Sequence, residues 1–265
     1  MIIYKYYSPK DYNFEALQQN YLYFRKVSKT NDPYDCSCKL LQNKAICKYL
    51  ENMCHIDETS LRTMNDYATC SFSKHKNNKR LWASYADNYS GFVIGFNIEK
   101  LSNLCIDDCI RIPLYEVNYI DSLSDALNEH SSIECKSPTD ENMNFTLEIA
   151  KLLNEYKCDF KEIEHLFYYI CSIKEKTSWA IEEEYRLMIG RDGNTRLCSL
   201  ITKENNGFKV SFPCQAVEEI IIGHNFDVLK YGNIINKIWQ KYNVETIKQT
   251  ICEVPFEVNF KNIKI

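Results

Sequence analysis

Runs of hydrophobic residues mark strands near both ends of the chain. Residues 2–7, 21–27 and 67–73 are rich in β-branched and aromatic residues, and residues 91–96 are almost wholly apolar. Such runs predict strands, and the last predicts one at the centre of a sheet with Phe96 buried. Further strands are predicted over residues 110–119, 197–201, 207–212, 217–222, 244–254 and 255–260. The last of these opens with Pro255, which is typical of an edge strand.

Other segments repeat apolar residues at spacings of three and four, which predicts helices. Residues 145–156 and 160–170 do so in succession, and we expect a helical hairpin inserted over residues 140–175. Shorter or single helices are predicted over residues 38–54, 81–86 and 228–242. Because strands dominate at both ends without regular strand–helix alternation, the pattern predicts a single α+β domain over residues 1–265 with a mixed, mostly antiparallel sheet.

The composition indicates the class of protein but does not indicate its activity. Apolar residues make up 45% of the 265 residues and charged residues 26%, as in ordinary globular proteins. The net charge of -4 argues against nonspecific wrapping of nucleic acid, although a local basic groove stays compatible with it. Residues 74–80 are predicted to form a basic, solvated loop. No run approaches about 20 apolar residues and the first residues carry no signal-peptide pattern, so we expect a cytoplasmic protein without a membrane partner. The 13 cysteines lack paired metal-ligand spacing, so no metal is expected.

The most informative segment is residues 174–190, within which charged residues at 182–186 run directly into the apolar residues 187–189. Strand alternation predicts that Glu182, Glu184 and Arg186 lie on one face. One interpretation is a solvated, salt-bridged edge strand. The other is a site in which one carboxylate stabilises developing positive charge and its neighbour selects an acceptor.

Six ordered motifs are spread over nearly the whole chain. They are Tyr4-Lys5-Tyr6, residues 24–33 ending in Asn31-Asp32-Pro33, Cys70-Ser71-Phe72-Ser73, Leu81-Trp82-Ala83-Ser84-Tyr85, residues 91–96, and Trp179-x-x-Glu182-x-Glu184-Tyr185-Arg186. Together with residues 219–223, which also fit, they resemble a bacterial family, the domain of unknown function 2971. The family name implies no reaction.

A second ordered set consists of Lys5 on the first predicted strand, Ser71 and Ser73 in a Ser-x-Ser strand, and Glu182 and Glu184 in a Glu-x-Glu. This set resembles the basic residue, the Ser-x-Ser strand and the Glu-x-Glu of ADP-ribosyltransferases of the arginine-serine-glutamate class. Lysine in place of arginine is a departure, because it offers a pyrophosphate a point charge and not a fork. This resemblance implies a split sheet, NAD as a substrate, and a role such as a toxin or phage-defence effector.

The resemblance also implies roles for individual residues. Glu184 would stabilise an oxocarbenium-like state, and Glu182 would orient or deprotonate the acceptor. The residues expected to hold NAD are Lys5, Tyr4, Tyr6, Ser71, Ser73, Trp82, Tyr85 and Arg186. The residues expected near the acceptor are Asn31, Asp32 and Trp179. The turn containing Asn31 and Asp32 is expected to border the same cleft as Glu184.

Three functions remain open at this point. The first is an NAD-consuming transferase or glycohydrolase with a nucleic-acid or protein acceptor. The second is a noncatalytic nucleotide or RNA sensor, in which Lys5, residues 74–80 and the aromatic residues only bind. The third is a nuclease using Asp32, Glu182 and Glu184 around a hard metal ion, which their spacing does not demand. Glu184 discriminates among them, because catalysis of the first kind needs its charge whereas a sensor tolerates its amide.

Overall fold

The computed structural model describes residues 1–30, 67–102, 112, 114–120, 168, 171–190, 201–244, 247–251 and 254–258. Its strands are β1 (Ile2–Tyr7), β2 (Tyr21–Lys26), β3 (Ala68–Ser73), β4 (Phe92–Asn97), β5 (Leu114–Glu116), β6 (Asn118–Ile120), β7 (Ile173–Glu175), β8 (Glu184–Ile189), β9 (Ile201–Glu204), β10 (Gly207–Ser211), β11 (Val217–Ile222), β12 (Ile247–Ile251) and β13 (Val254–Val258). Its helices are α1 (Asp11–Gln18), α2 (Lys79–Ser84), α3 (Ile98–Ser102), α4 (Lys176–Trp179) and α5 (Val228–Tyr242), with 3-10 turns at Val27–Lys29, Ala180–Glu182 and Cys214–Ala216.

A large mixed sheet of 11 strands forms the body of the fold. Nine strands follow the order β13-β12-β11-β4-β1-β3-β2-β10-β9, while β8 pairs with β3 and β5. Within the described strands, β11–β12 and the separate pair β6–β7 are parallel, and the other pairs are antiparallel. The predicted α+β class with a mixed, mostly antiparallel sheet is therefore confirmed.

The sheet opens beside β3. One edge of β3 pairs with β8 over its whole length, from Ala68 opposite Ile189 to Ser73 opposite Glu184. Its other edge meets β1 at Ser73 and meets β2 at Ala68 and Thr69. Between these ends the Lys5 ammonium donates a hydrogen bond to the Ser71 carbonyl at 3.0 Å. Lys5 therefore reaches into the opening between β1 and β3 and does not lie on a sheet edge.

The hydrophobic core lies under the middle of the large sheet. Strand β4 sits between β11 and β1, and the fully buried Phe96 ring contacts Phe72 and Phe212 edge-on at centroid distances of 5.7 and 5.3 Å. Helix α5 adds its buried face, including Ile235 and Ile238, to the same core. The predicted interior strand with a buried Phe96 is confirmed.

The predicted strand over residues 110–119 is wrong in its extent. The chain there forms two short strands, of which β5 pairs with β8 and β6 pairs with β7. The change of sheet occurs at Val117, whose amide donates to the Glu184 carbonyl at 2.9 Å, while the next amide, of Asn118, donates to the Ser172 carbonyl at 2.7 Å. These two hydrogen bonds direct the chain from one sheet to the other.

Of the other predicted elements, some are confirmed and some lie outside the described residues. Strand β13 contains Pro255 and ends the strand order, so the predicted edge strand is confirmed. The predicted helix over residues 38–54, the turn with Asn31 and Asp32, and most of the predicted hairpin over residues 140–175 lie outside the described residues. Within that last range β7 is a strand. Among the described helices, none has the length and apolar character needed to cross a bilayer.

Candidate functional site

A cavity opens where β1, β3 and the start of β8 come together. Its empty volume is about 550 Å³, a figure that includes space open to solvent. Its lining residues are Tyr4, Lys5, Tyr6, Ser71, Phe72, Ser73, Leu81, Tyr85, Lys174, Glu182 and Glu184. Eight of these were predicted as site residues from the sequence, and the fold brings them to one place.

Strand register explains why the serines and the acidic pair meet. Because β3 and β8 are antiparallel, Ser73 lies opposite Glu184 and Ser71 opposite Arg186. Cross-strand neighbours point to the same face of a sheet. The Ser73 hydroxyl donates to the Glu182 carbonyl at 2.7 Å, which fixes the turn that leads into β8.

The turn before β8 corrects the strand alternation predicted for Glu182. Strand β8 begins only at Glu184, and Glu182 ends a 3-10 turn. Glu183 between them has a left-handed backbone with φ 39° and ψ 61°, which costs a non-glycine residue on the order of 1 kcal/mol. The left-handed residue lets both neighbouring carboxylates face the cavity, while Glu183 itself points outward to His75 at 2.8 Å.

Four buried charges form a closed network at the floor of the cavity. The Lys174 ammonium donates to Glu182 Oε2 at 2.8 Å and to Glu184 Oε2 at 2.9 Å. Arg186 donates from Nε to Glu184 Oε1 at 2.7 Å and from Nη2 to Glu184 Oε2 at 3.0 Å. Since all four residues are buried, the interpretation as a solvated edge strand is wrong.

The two carboxyl groups differ in their proton affinity. Burial raises the pKa of Glu182, and the charge of Lys174 and its hydrogen bond oppose that rise. Burial acts in the same direction on Glu184, but the charges of Arg186 and Lys174 and hydrogen bonds from Arg186 and Ser71 lower its pKa to about 2. Glu184 is therefore held ionised, while Glu182 is the more easily protonated of the two.

Lys174 is the site residue that sequence reasoning missed. It lies eight residues before Glu182, after the predicted helix over residues 160–170, and no local pattern connects the two. In the structure it belongs to β7, in the small sheet. A lysine is buried only with partners, but a sequence does not show which lysine will find them.

Two residues predicted to bind NAD lie behind the cavity and do not line it. Trp82 is fully buried, stacks on Tyr89 at 5.2 Å and meets Tyr6 edge-on at 5.5 Å. Its Nε1 donates to the Lys76 carbonyl at 2.9 Å, so the aromatic ring belongs to the core and supports Tyr6. Arg186 is equally buried, and its Nη1 donates to the Cys171 carbonyl at 2.6 Å. Neither side chain is among the residues that line the cavity, and their predicted contacts with NAD stay predictions.

The remaining predicted residues lie at the mouth or outside the described part. Tyr85 lines the cavity and its side chain is 47% exposed. Trp179 stands beside the charge network, with the Lys174 ammonium 4.4 Å and the Arg80 guanidinium 5.2 Å from its ring centroid. Asn31 and Asp32 are outside the described residues, so their predicted place beside Glu184 stays a prediction.

The chemistry of the acidic pair bears on metal binding. Within the described residues no three His, Cys, Asp or Glu side chains are grouped so as to hold a metal ion. The position between Glu182 and Glu184, which a divalent cation would need, is taken by the Lys174 ammonium. A cation at this point would have to displace Lys174.

Comparison with known proteins finds a family model that matches part of the chain. No curated protein and no solved structure matches the chain significantly. The family model described as "Protein of unknown function (DUF2971)" matches residues 81–187, a segment that contains β4 and the acidic pair. Over these residues the chain is similar to the DUF2971 family, which agrees with the resemblance that its ordered motifs predict.

Proposed function

We propose that this protein cleaves the bond between nicotinamide and ribose in NAD⁺ and passes the ADP-ribose to water or to an acceptor. The observation that carries the proposal is the convergence of Lys5, Ser71, Ser73, Glu182 and Glu184 on one cavity. These residues come from distant parts of the chain, and they are the positions that match the ADP-ribosyltransferase pattern. The opening of the sheet beside β3 also fits the split sheet that this resemblance implies.

The proposed reaction uses the two carboxylates differently. The nicotinamide leaves with the electrons of the broken bond, and the ribose becomes oxocarbenium-like. Glu184, already fixed by Arg186, stabilises that positive charge. Water or an acceptor then forms the new bond to the ribose carbon, and its proton passes to Glu182, whose pKa burial raises.

The proposed mechanism requires that the Lys174 ammonium move away from Glu184. Its ammonium lies 2.9 Å from Glu184 Oε2, so it partly cancels the charge that Glu184 offers to a cationic ribose. Glu182 Oε2 lies 2.8 Å from the same ammonium and provides an alternative partner. The proposal therefore includes a shift of Lys174 toward Glu182 when NAD⁺ binds.

A noncatalytic nucleotide-binding role is the second candidate. The charge network favours it because the network is electrically neutral and its carboxylates already have partners. Glu184 accepts hydrogen bonds from Arg186, Lys174 and Ser71, and the formal charges of Lys174, Arg186, Glu182 and Glu184 sum to zero. A neutral, saturated network is suited to holding a structure in place. A ligand would then bind through Lys5 and the aromatic residues alone.

The test is release of nicotinamide from NAD⁺, measured chromatographically. Glu184→Gln keeps the size of the side chain and removes its charge, so we expect the rate to fall by about 10²-fold or more. Glu183→Gln is the matched control, because this neighbouring side chain is 48% exposed and outside the cavity. It should keep the wild-type rate, and thermal melts should show both variants folded.

Two outcomes would contradict catalysis at Glu184. A folded Glu184→Gln protein with full activity would remove the carboxylate from the mechanism. Absence of nicotinamide release by the wild-type protein, with equal binding of ADP-ribose to wild type and Glu184→Gln, would favour the sensor. If release is confirmed, consumption of cellular NAD⁺ would be consistent with a toxin or a phage-defence effector.

A further inference from the structure

The rim of the cavity is basic although the chain as a whole is acidic. Residues 74–80 contain four Lys or Arg residues, residues 176–181 contain one, and neither segment contains Asp or Glu. The whole chain has 32 Lys and Arg against 36 Asp and Glu. We name residues 74–80 and 176–181, together with Tyr85, the basic rim.

Direct contacts join the two segments of the basic rim into one surface. The Arg80 guanidinium lies 5.2 Å from the Trp179 ring centroid, and Asn78 Nδ2 donates to the Ile181 carbonyl at 2.5 Å. Among the described residues, Glu183 pairs with His75 and Glu219 with Lys76 at this surface. The basic rim carries five Lys and Arg residues against these two carboxylates, so its formal charge is positive.

Exposed apolar side chains lie among these cations. Tyr85 is 47% exposed at the cavity mouth, and Ile181 is 59% exposed. Trp179 is partly buried, and its ring lies 5.2 Å from the Arg80 guanidinium. Cations that follow a phosphate backbone, combined with flat or apolar groups on which bases stack, are the features that bind single-stranded nucleic acid. A single strand therefore fits this surface better than two other polyanions. A duplex keeps its bases stacked inside the helix, and an acidic peptide would pair with the cations without using the aromatic side chains.

We propose that the basic rim binds single-stranded nucleic acid and holds the strand across the mouth of the cavity. Lys74, Lys79, Arg80 and Lys176 face the phosphates, and Tyr85 stacks on a base. Binding does not require the NAD⁺ chemistry. Only the use of the bound strand as the ADP-ribose acceptor rests on the proposed function.

The test is fluorescence anisotropy with short labelled RNA and DNA single strands in the absence of NAD⁺. Affinity should fall steeply as salt rises, because phosphate contacts release counterions. Lys79→Glu should weaken binding about tenfold. It reverses a charge at the first residue of α2, a helix end that tolerates an acidic side chain, so the fold should survive. Tyr85→Ala should weaken binding of single strands by about fivefold or more.

Lys230→Glu is the matched control. It reverses an exposed lysine near the start of α5 that is not part of the basic rim, and it should leave the affinity unchanged. A difference between the RNA and DNA arms would identify a contact to the 2′-hydroxyl. No binding at low salt, equal binding of a duplex or of polyglutamate, or indifference to both rim variants would overturn the proposal. Nicotinamide release is measured without an oligonucleotide, so failure of either proposal is recognised separately.

Discussion

Two glutamates with the same side chain have opposite electrostatic roles because their partners differ. Glu184 accepts from two nitrogens of Arg186 and from Lys174, and its pKa is lowered to about 2. For Glu182 burial outweighs the pairing with Lys174, and its pKa is raised. Separated pKa values within one acidic pair are typical of sites that move protons, although structural ion networks also produce them.

The difference between the two pKa values predicts how the stability of the fold depends on pH. The folded pKa of Glu184 is below its ordinary value of 4.5, so its stabilising contribution is present above about pH 4.5 and is lost as pH falls toward 2. That contribution is on the order of 3 kcal/mol, at about 1.4 kcal/mol per pKa unit. Urea unfolding of wild type and Glu184→Gln should show the stability advantage of the wild type shrinking over this interval.

The contribution of Glu182 to stability depends on pH with the opposite sign. Its folded pKa is raised, so its contribution is present at low pH and is lost as pH rises through that value. The wild type should therefore gain stability relative to Glu182→Gln as the solution is acidified. Glu183→Gln controls for a half-exposed carboxylate in the same turn.

Unfolding free energies of wild type and Glu184→Gln that stay parallel from neutral to acid pH would show that Glu184 is not held by its partners.

At the scale of secondary structure, sequence patterns predicted most described strands and missed the turn that shapes the site. Alternation correctly placed Glu184 and Arg186 together, because period two is a local property of a strand. It misplaced Glu182, because the left-handed backbone of Glu183 depends on partners far away in the chain. Those partners are the Ser73 hydroxyl on the Glu182 carbonyl and the Lys74 amide on the Glu183 carbonyl at 3.0 Å. Strand register, which brings the serines to Glu184, is likewise not visible in one sequence.

Strand β4 gives a prediction at this scale. Phe96 is fully buried between Phe72 and Phe212, so Phe96→Ala removes a ring from a packed core. The free energy of unfolding should fall by about 3–5 kcal/mol. Leu229→Ala is the control, because that side chain is 95% exposed and should change stability little. Equal melting temperatures for the two variants would contradict the interior position of β4.

At the scale of the whole molecule, polar contacts attach the small β6–β7 sheet to the large sheet. From β7, Lys174 reaches both acidic residues, and from β6 the Tyr119 hydroxyl accepts the Glu184 amide at 2.9 Å. Arg186 of β8 donates to the Cys171 carbonyl at 2.6 Å, two residues before β7. The floor of the cavity is therefore also the junction of the two sheets, and Lys174 is its central cation.

Lys174→Met tests this junction. The change leaves two buried carboxylates with only Arg186 as their cation, and removal of one partner from a buried ion pair typically costs about 3–5 kcal/mol. If the loss comes from charge imbalance, Glu182→Gln added to Lys174→Met restores neutrality, and the double variant should be more stable than Lys174→Met alone. A double-mutant cycle in urea measures this coupling. Lys209→Met, which breaks a partly exposed pair with Glu204 at 2.9 Å, should cost under about 1 kcal/mol. A double variant less stable than Lys174→Met would show that Lys174 acts through packing and not through charge.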